Sequence, residues 1–199
     1  MASGYDAIAE RYEAWAASFE SPVLTWVGKL LERLSEGSRV LDLGCGNGSV
    51  TQALAERHEV TGVDISAAQL ERARRRVPRA TFVHADATQV ELPPASFAAV
   101  SSTFVFGHVP RAEQGPLLER VRGWLRPGGW LLVTLGVGDS DDVVEPDWLG
   151  APMLFASWDP ATNLALVECA GFRIEEQRIV PFEEPGHGRV SFMWVLAQV

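Results

Sequence analysis

A chain of 199 residues with 47% hydrophobic and 22% charged side chains has the composition of one ordinary folded domain with a large core, which excludes a disordered protein. Its formal net charge of −9 excludes a broad nucleic-acid or anionic-membrane surface, because both draw affinity from clustered Lys and Arg. Two isolated cysteines, Cys45 and Cys169, without a Cys-x-x-Cys or Cys/His pattern, point away from a disulfide framework or a metal site. A reduced, cytoplasmic monomer or homodimer with a small-molecule partner is expected.

The opening segment MASGYDAIAERYEAW has no basic stretch followed by an apolar one, and no later run approaches the roughly 20 apolar residues of a membrane span. Ile8, Tyr12, Trp15 and Phe19 recur near helical spacing, so Tyr5–Phe19 and Pro22–Leu34 read as two amphipathic helices able to cap a site. Strand-like runs at Arg39–Leu43, Glu59–Val63, Ala80–His84, Phe97–Ser102 and Trp130–Leu135 then alternate with helical patterns at Ser49–Arg57, Ala67–Val77 and Ala112–Trp124. That alternation predicts an α/β fold with a parallel sheet. The stretch GVGDSDDVVEPDWLGAPMLFASWDP is long for a plain connection, and Asp147–Trp158 reads as a substrate-side lid. A helix at Ala161–Ala170 precedes strands at Phe172–Val180 and Val190–Gln198, whose short joining loop makes them antiparallel neighbours. The expected divisions are a cap (1–36), a cofactor-binding core (37–136), a lid (137–160) and a C-terminal helix and strand pair (161–199) of one domain.

RVLDLGCGNG, residues 39–48, carries most of the chemistry. A strand turning through Gly44, Gly46 and Gly48 into a helix lets backbone approach a ligand and aims N–H groups at it, which suits many nucleotides but also an ordinary tight turn. Ser49 stands where the dinucleotide fingerprint requires its third glycine, which weakens a nicotinamide reading. Asp42 would repel a pyrophosphate and favour an ammonium or sulfonium group.

VLDLGCGNG matches the first motif of the class I S-adenosylmethionine-dependent methyltransferases, and the chain resembles that family over nearly its whole length. In VTGVDIS the resemblance makes Asp64 the acid that binds both ribose hydroxyls, with Ile65 beside it. In FVHADATQVELP it makes Asp86 the acceptor from the adenine amino group, with Ala85 and Ala87 near the ring. ASFAAVSSTFVFGHVP, with Ser101 and Ser102, and LRPGGWLLVTLG resemble the family's fourth strand and the turn into its fifth. The implied fold is a Rossmann-like three-layer sandwich, with a seven-stranded mostly parallel sheet, an antiparallel last strand and an N-terminal helical cap. The implied cofactor is S-adenosylmethionine, leaving S-adenosylhomocysteine, held also by Cys45 and Asn47. Among small-molecule members a cap tyrosine reaches the methionine end of the cofactor; Tyr12 is the first candidate here and Tyr5 the second.

The sulfonium methyl is already activated, so the protein has mainly to align a nucleophile and, for some acceptors, to remove a proton. His108, beyond the fourth strand, is the best-placed base; His187, in EEPGHGR, is weaker. Tyr5, Trp15, Phe104, His108, Trp148, Met153 and Trp158 are expected to line a pocket for an apolar or aromatic acceptor, whereas Phe192 and Trp194 are assigned to packing. Ser101-Ser102-Thr103-Phe104 lacks the Asn-Pro-Pro-Tyr-like motif of nucleic-acid adenine methyltransferases. A non-catalytic cofactor-binding domain is the alternative, and a nicotinamide-dependent oxidoreductase a third.

Overall fold

The run Val40–Leu43 is apolar on both sides of a strand, so it must be covered on both faces, which requires a parallel sheet between helical layers. The computed structural model, which describes residues 2–186 and 188–199, has this arrangement. Helices α1 (Ala2–Ala16) and α2 (Val23–Leu31) precede β1 (Arg39–Leu43), α3 (Ser49–Leu54), β2 (Glu59–Asp64), α4 (Ala67–Arg76), β3 (Thr81–His84) and β4 (Phe97–Ser102). A 3-10 turn at Phe106–His108 leads into α5 (Arg111–Trp124) and β5 (Leu125–Gly136). Then follow β6 (Ser140–Trp148), β7 (Ala151–Ser157), α6 (Pro160–Cys169), β8 (Arg173–Glu184) and β9 (Gly188–Gln198).

Seven strands form one sheet in the order β3-β2-β1-β4-β5-β9-β8. The first five are mutually parallel, and β9 runs antiparallel to both β5 and β8. Leu41, Val100, Leu131 and Val133 bury one face against Leu117 and Val121 of α5 and Val167 of α6. Val40, Ala99, Leu132 and Leu196 bury the other against Trp26 and Leu30 of α2 and Leu54 of α3. Trp194 stacks on Trp26 with ring centroids 5.8 Å apart, in keeping with a packing role. Because β1 is flanked by β2 on one side and β4 on the other, the chain crosses in opposite directions there. The crevice beyond the carboxyl ends of these strands is where open α/β sheets bind ligands.

Within the stretch 137–160, where the sequence marked no strands, the chain forms regular structure. Residues 140–157 are an antiparallel hairpin, β6 paired with β7, closed by Leu149 (φ 53°) and Gly150 (φ 93°) with Trp148 opposite Ala151. Two successive positive φ values belong to the tight hairpin turns usually signalled by Asn-Gly or Asp-Gly; Leu-Gly gives no such signal, and the acidic outer strand hides the alternation. β8 and β9 likewise extend further than expected, pairing as far as Glu184 opposite Gly188.

Helix α1 lies over the carboxyl ends of the strands and is fastened at both ends. Asp6 accepts from Ser66 Oγ (2.6 Å) and from the backbone N–H of Ala68 (3.0 Å), so it helps cap α4. Glu13 pairs with Arg72 and Arg76, each at 2.5 Å, and Arg76 also donates to the carbonyl of Asn47 at 2.9 Å. Among the described residues no helix is long and apolar enough to cross a membrane. Asp6→Ala removes an exposed cap worth about 1 kcal/mol. Its expected outcome is faster amide hydrogen exchange over residues 2–16, with β1 and β4 unchanged and a loss in Tm of only a few degrees; uniform acceleration would contradict this separation.

Candidate active site

The glycine turn after β1 is built from backbone conformations that side chains disfavour: Gly44, Gly46 and Gly48 have φ of 74°, 50° and 83°. The N–H groups of Gly44 and Cys45 both donate to the carbonyl of Val63, at 2.7 and 3.0 Å. At Gly44 a Cβ would stand 2.1 Å from Val105 Cγ2, so close approach as well as φ requires glycine there. Gly48 precedes α3 and packs on Ala73 of α4, which places it behind the loop.

Asp64, the last residue of β2, ties this turn to the next. Its Oδ2 accepts from Gly46 N–H and its Oδ1 from Ser66 N–H, both at 2.8 Å. Burial raises its pKa despite those bonds. Each oxygen keeps a further acceptor site, so the carboxylate can still receive two hydroxyls of a diol. Asp86, after β3, accepts from the N–H and hydroxyl of Thr88 at 2.8 Å. It therefore shapes its own turn while facing the same cavity.

Two adjoining cavities open here. The first, about 360 Å³, runs from Gly44 and Gly46 past Asp64 and Ile65 to Asp86 and Ala87. The second, about 230 Å³, passes beneath α1 toward Trp15, Trp148 and the β8–β9 end. Tyr5, Tyr12, Phe104 and His108 line both, whereas Cys45 and Asn47 border the second. Among the described residues neither cavity is lined by Lys or Arg; the carboxylates are Asp64, Asp86 and Glu113 in the first and Glu184 in the second.

Several side chains expected at the site lie elsewhere. Asp42 lines neither cavity: it is 1% exposed beneath the loop and accepts from Thr51 Oγ1 at 2.5 Å. Burial, opposed by that bond and reinforced by the charge of Asp64, pushes its pKa up to about 7. Ser101 and Ser102 are buried in β4 with both hydroxyls unpartnered. The cavities open only past the strand's end, so Thr103, Phe104 and Val105 are exposed to them instead. Phe104 turns there at φ 59°, its N–H held by Thr134 Oγ1. Met153 is buried in a cluster with Ile8 and Trp148, and Trp158 lies beneath the guanidinium of Arg111 at 4.0 Å. His187 lies outside the described residues. Phe192, assigned to packing on sequence grounds, borders the second cavity.

His108 bridges three elements. Its Nδ1 is 2.8 Å from the carbonyl of Leu154 on β7, and its Nε2 is 2.8 Å from the Tyr5 hydroxyl on α1. A carbonyl can only accept, so Nδ1 carries the hydrogen and Nε2 accepts from Tyr5. Burial lowers the His108 pKa to about 4 and raises that of Tyr5 well above its usual range, so both are neutral near pH 7. Tyr12 is pushed up to about 12, by burial first and then by Asp64 and Glu184. Gln69 and Glu113 in the first cavity, and Phe182 and Glu184 in the second, had no motif to mark them, and the topology alone brings them in; Leu154 and Phe155 fall within the stretch Asp147–Trp158 read from sequence as a lid.

The strand order, with β9 inserted antiparallel between β5 and β8, is that of a Rossmann-like methyltransferase fold. Residues 40–129 match the family model described as a methyltransferase domain. A trans-aconitate 2-methyltransferase of Paracidovorax citrulli is 43% identical over 110 residues, covering 51% of this chain and 40% of that protein. A 27-O-demethylrifamycin SV methyltransferase of Amycolatopsis mediterranei is 36% identical over 126 residues, covering 59% of this chain and 44% of that protein. The chain thus spans less than half of either relative. In fold it is similar to the Burkholderia thailandensis 1,6-didemethyltoxoflavin-N1-methyltransferase, with a TM-score of 0.75 at 21% identity over 98% of this chain and 84% of that one.

The glycine requirement is testable by contrast. Gly44→Ala is expected to destabilise the chain by more than about 2 kcal/mol through the Val105 clash and the positive φ. Gly28→Ala, in α2 with nothing within 4 Å of the added carbon, should stabilise by about 0.5–1 kcal/mol. Urea midpoints of the two variants compare them directly.

Proposed function

We propose that the chain transfers a methyl group from S-adenosylmethionine to a small apolar or aromatic acceptor. The observation that carries this reading is the first cavity, which Asp64, Asp86 and the glycine turn line together and which, among the described residues, no Lys or Arg lines. That donor set fits a ligand with a diol, an adenine amino group and positive charge, and it opposes a pyrophosphate. In this reading Asp64 receives the ribose hydroxyls, Asp86 and Ala87 border the adenine, and Tyr12 stands at the junction with the second cavity. Asp42, one layer below, adds negative charge and anchors the loop through Thr51. S-adenosylmethionine supplies a methyl group already activated on sulfur.

The chain's own residues then orient the acceptor and exclude water. The second cavity presents it toward the first past Tyr5, Tyr12 and Phe104. Nε2 of His108 is reached through the Tyr5 hydroxyl, so a proton passes from acceptor to Tyr5 oxygen while Tyr5 gives its own proton to His108. The burial that keeps His108 neutral also penalises its imidazolium. The pair therefore suits an acceptor that loses its proton after methylation, when it has become more acidic. The acceptor of the Paracidovorax relative, trans-aconitate, is a tricarboxylate, and cavities without Lys or Arg do not favour such an anion here.

Isothermal titration with S-adenosylmethionine, S-adenosylhomocysteine and NAD(P) tests the reading. Both sulfur compounds should bind and NAD(P) should not. A cationic ligand favours ionised carboxylates, and Asp42 titrates near pH 7, so binding below that pH must release a proton. Affinity for S-adenosylmethionine is expected to fall by up to about tenfold per pH unit below 7 and to level off above it. Asp42→Asn should flatten that profile. Binding of NAD(P) in place of the sulfur compounds would overturn the reading.

A further inference from the structure

The residues that open α4, Ser66-Ala67-Ala68-Gln69, have the spacing of a capping box. In such a box the first side chain accepts from the backbone N–H of the fourth residue, and the fourth side chain reaches back to the N–H of the first. One half of the exchange is made here, for Ser66 Oγ accepts from the Gln69 N–H at 3.2 Å. The other half is pre-empted, because Asp64 Oδ1 already holds the Ser66 N–H at 2.8 Å. Gln69 is 1% exposed, and among the described residues neither its Nε2 nor its Oε1 has a hydrogen-bond partner. A buried amide with its donors and acceptor unused is costly to the folded chain and calls for a physical explanation.

Its surroundings supply one. Gln69 lines the first cavity together with Asp64, Ile65 and Gly46. Helical side chains lean toward the N-terminus of their helix, which for Gln69 is the turn that Asp64 holds. Further along the same face, Ala73 packs on Gly48 and Arg76 donates to the carbonyl of Asn47, so this face of α4 lies against the glycine turn. The last torsion of a glutamine is broad, and the amide can turn to a group in the cavity while its helix stays in place. An ionised Asp64 only accepts, and a hydroxyl that donates to it keeps lone pairs in need of a donor. We infer that Gln69 is a second binding residue for the ribose, its Nε2 donating to a hydroxyl oxygen whose proton is directed to Asp64. The inference rests on the proposed cofactor for the ribose, although any nucleoside seated at Asp64 offers the same diol. An ammonium group at this place satisfies the carboxylate but gives the amide nothing to donate to, whereas a hydroxyl satisfies both.

The test is isothermal titration of the full chain with S-adenosylhomocysteine, its 2′-deoxy and 3′-deoxy analogues, and adenosine. Gln69→Met keeps the length and removes the amide, while Gln69→Asn keeps the amide and withdraws it by one methylene. Each should weaken S-adenosylhomocysteine by about tenfold. With one of the two deoxy analogues the loss should shrink to within about twofold, because the hydroxyl that Gln69 holds is already gone. The unliganded Gln69→Met chain should melt at the parent temperature or above it, since an apolar group replaces an amide without a partner. Unchanged affinity in both variants would overturn the inference. So would a loss equal across S-adenosylhomocysteine and both analogues, and a lower Tm of Gln69→Met beside that equal loss would assign the amide to the fold. If adenosine binds with the same dependence on Gln69 while S-adenosylhomocysteine does not bind, the methyl-transfer reading alone fails; if neither binds, the inference falls with it.

Discussion

The site depends on one carboxylate, Asp64, which holds Gly46 with one oxygen and Ser66 with the other. Hydrogen bonds from backbone to an ionised acceptor contribute about 1.5–3 kcal/mol each. Here they join the turns that follow β1 and β2 into one rigid edge. Without that bridge the glycine turn would have positive φ values and few constraints. With it, the loop's remaining surface faces a cavity of fixed shape, and the same carboxylate still has lone pairs for a ligand. Ser66 passes the constraint on: it caps α4 through Gln69 and donates to Asp6, so α1 is registered against the same edge.

Charge is arranged around this edge with a consistent sign. Asp64 above the loop raises the cost of ionising Asp42 below it, and burial makes that cost high for both carboxylates. Such a pair is uncomfortable without a cation and comfortable with one, an economical way to favour a sulfonium over a phosphate. The neutral Tyr5–His108 pair sits where the two cavities meet, and there a lasting positive charge on the protein would oppose the ligand. The low pKa of His108 therefore agrees with the field around it.

Much of the fold was legible because its signals are local. Apolar runs such as Phe97–Val100 and Leu131–Val133 demanded a sheet covered on both faces, and the glycine spacing marked the turn. Asp64 and Asp86 could be placed at the crevice because one ends β2 and the other follows β3 by two residues, and both line the first cavity. Other features failed for physical reasons. Asp42 carries the right charge, but it stands two positions before the turn, buried beneath the loop, where Thr51 takes it up. Ser101 and Ser102 are likewise two residues too early, with Thr103 and Phe104 at the opening. The hairpin β6–β7 was hidden by a Leu-Gly turn. Phe182, Glu184 and Phe192 reach the second cavity only because β9 inserts antiparallel beside β5, a long-range pairing with no local mark.

The structure of the chain bound to S-adenosylhomocysteine tests the central claim most directly. The account predicts the ribose hydroxyls on Asp64, the adenine between Asp86 and Ala87, and the sulfur at the junction bordered by Tyr5 and Tyr12, with the second cavity left free. A ligand seated among the aromatic rings, or one that makes no contact with Asp64, would contradict it.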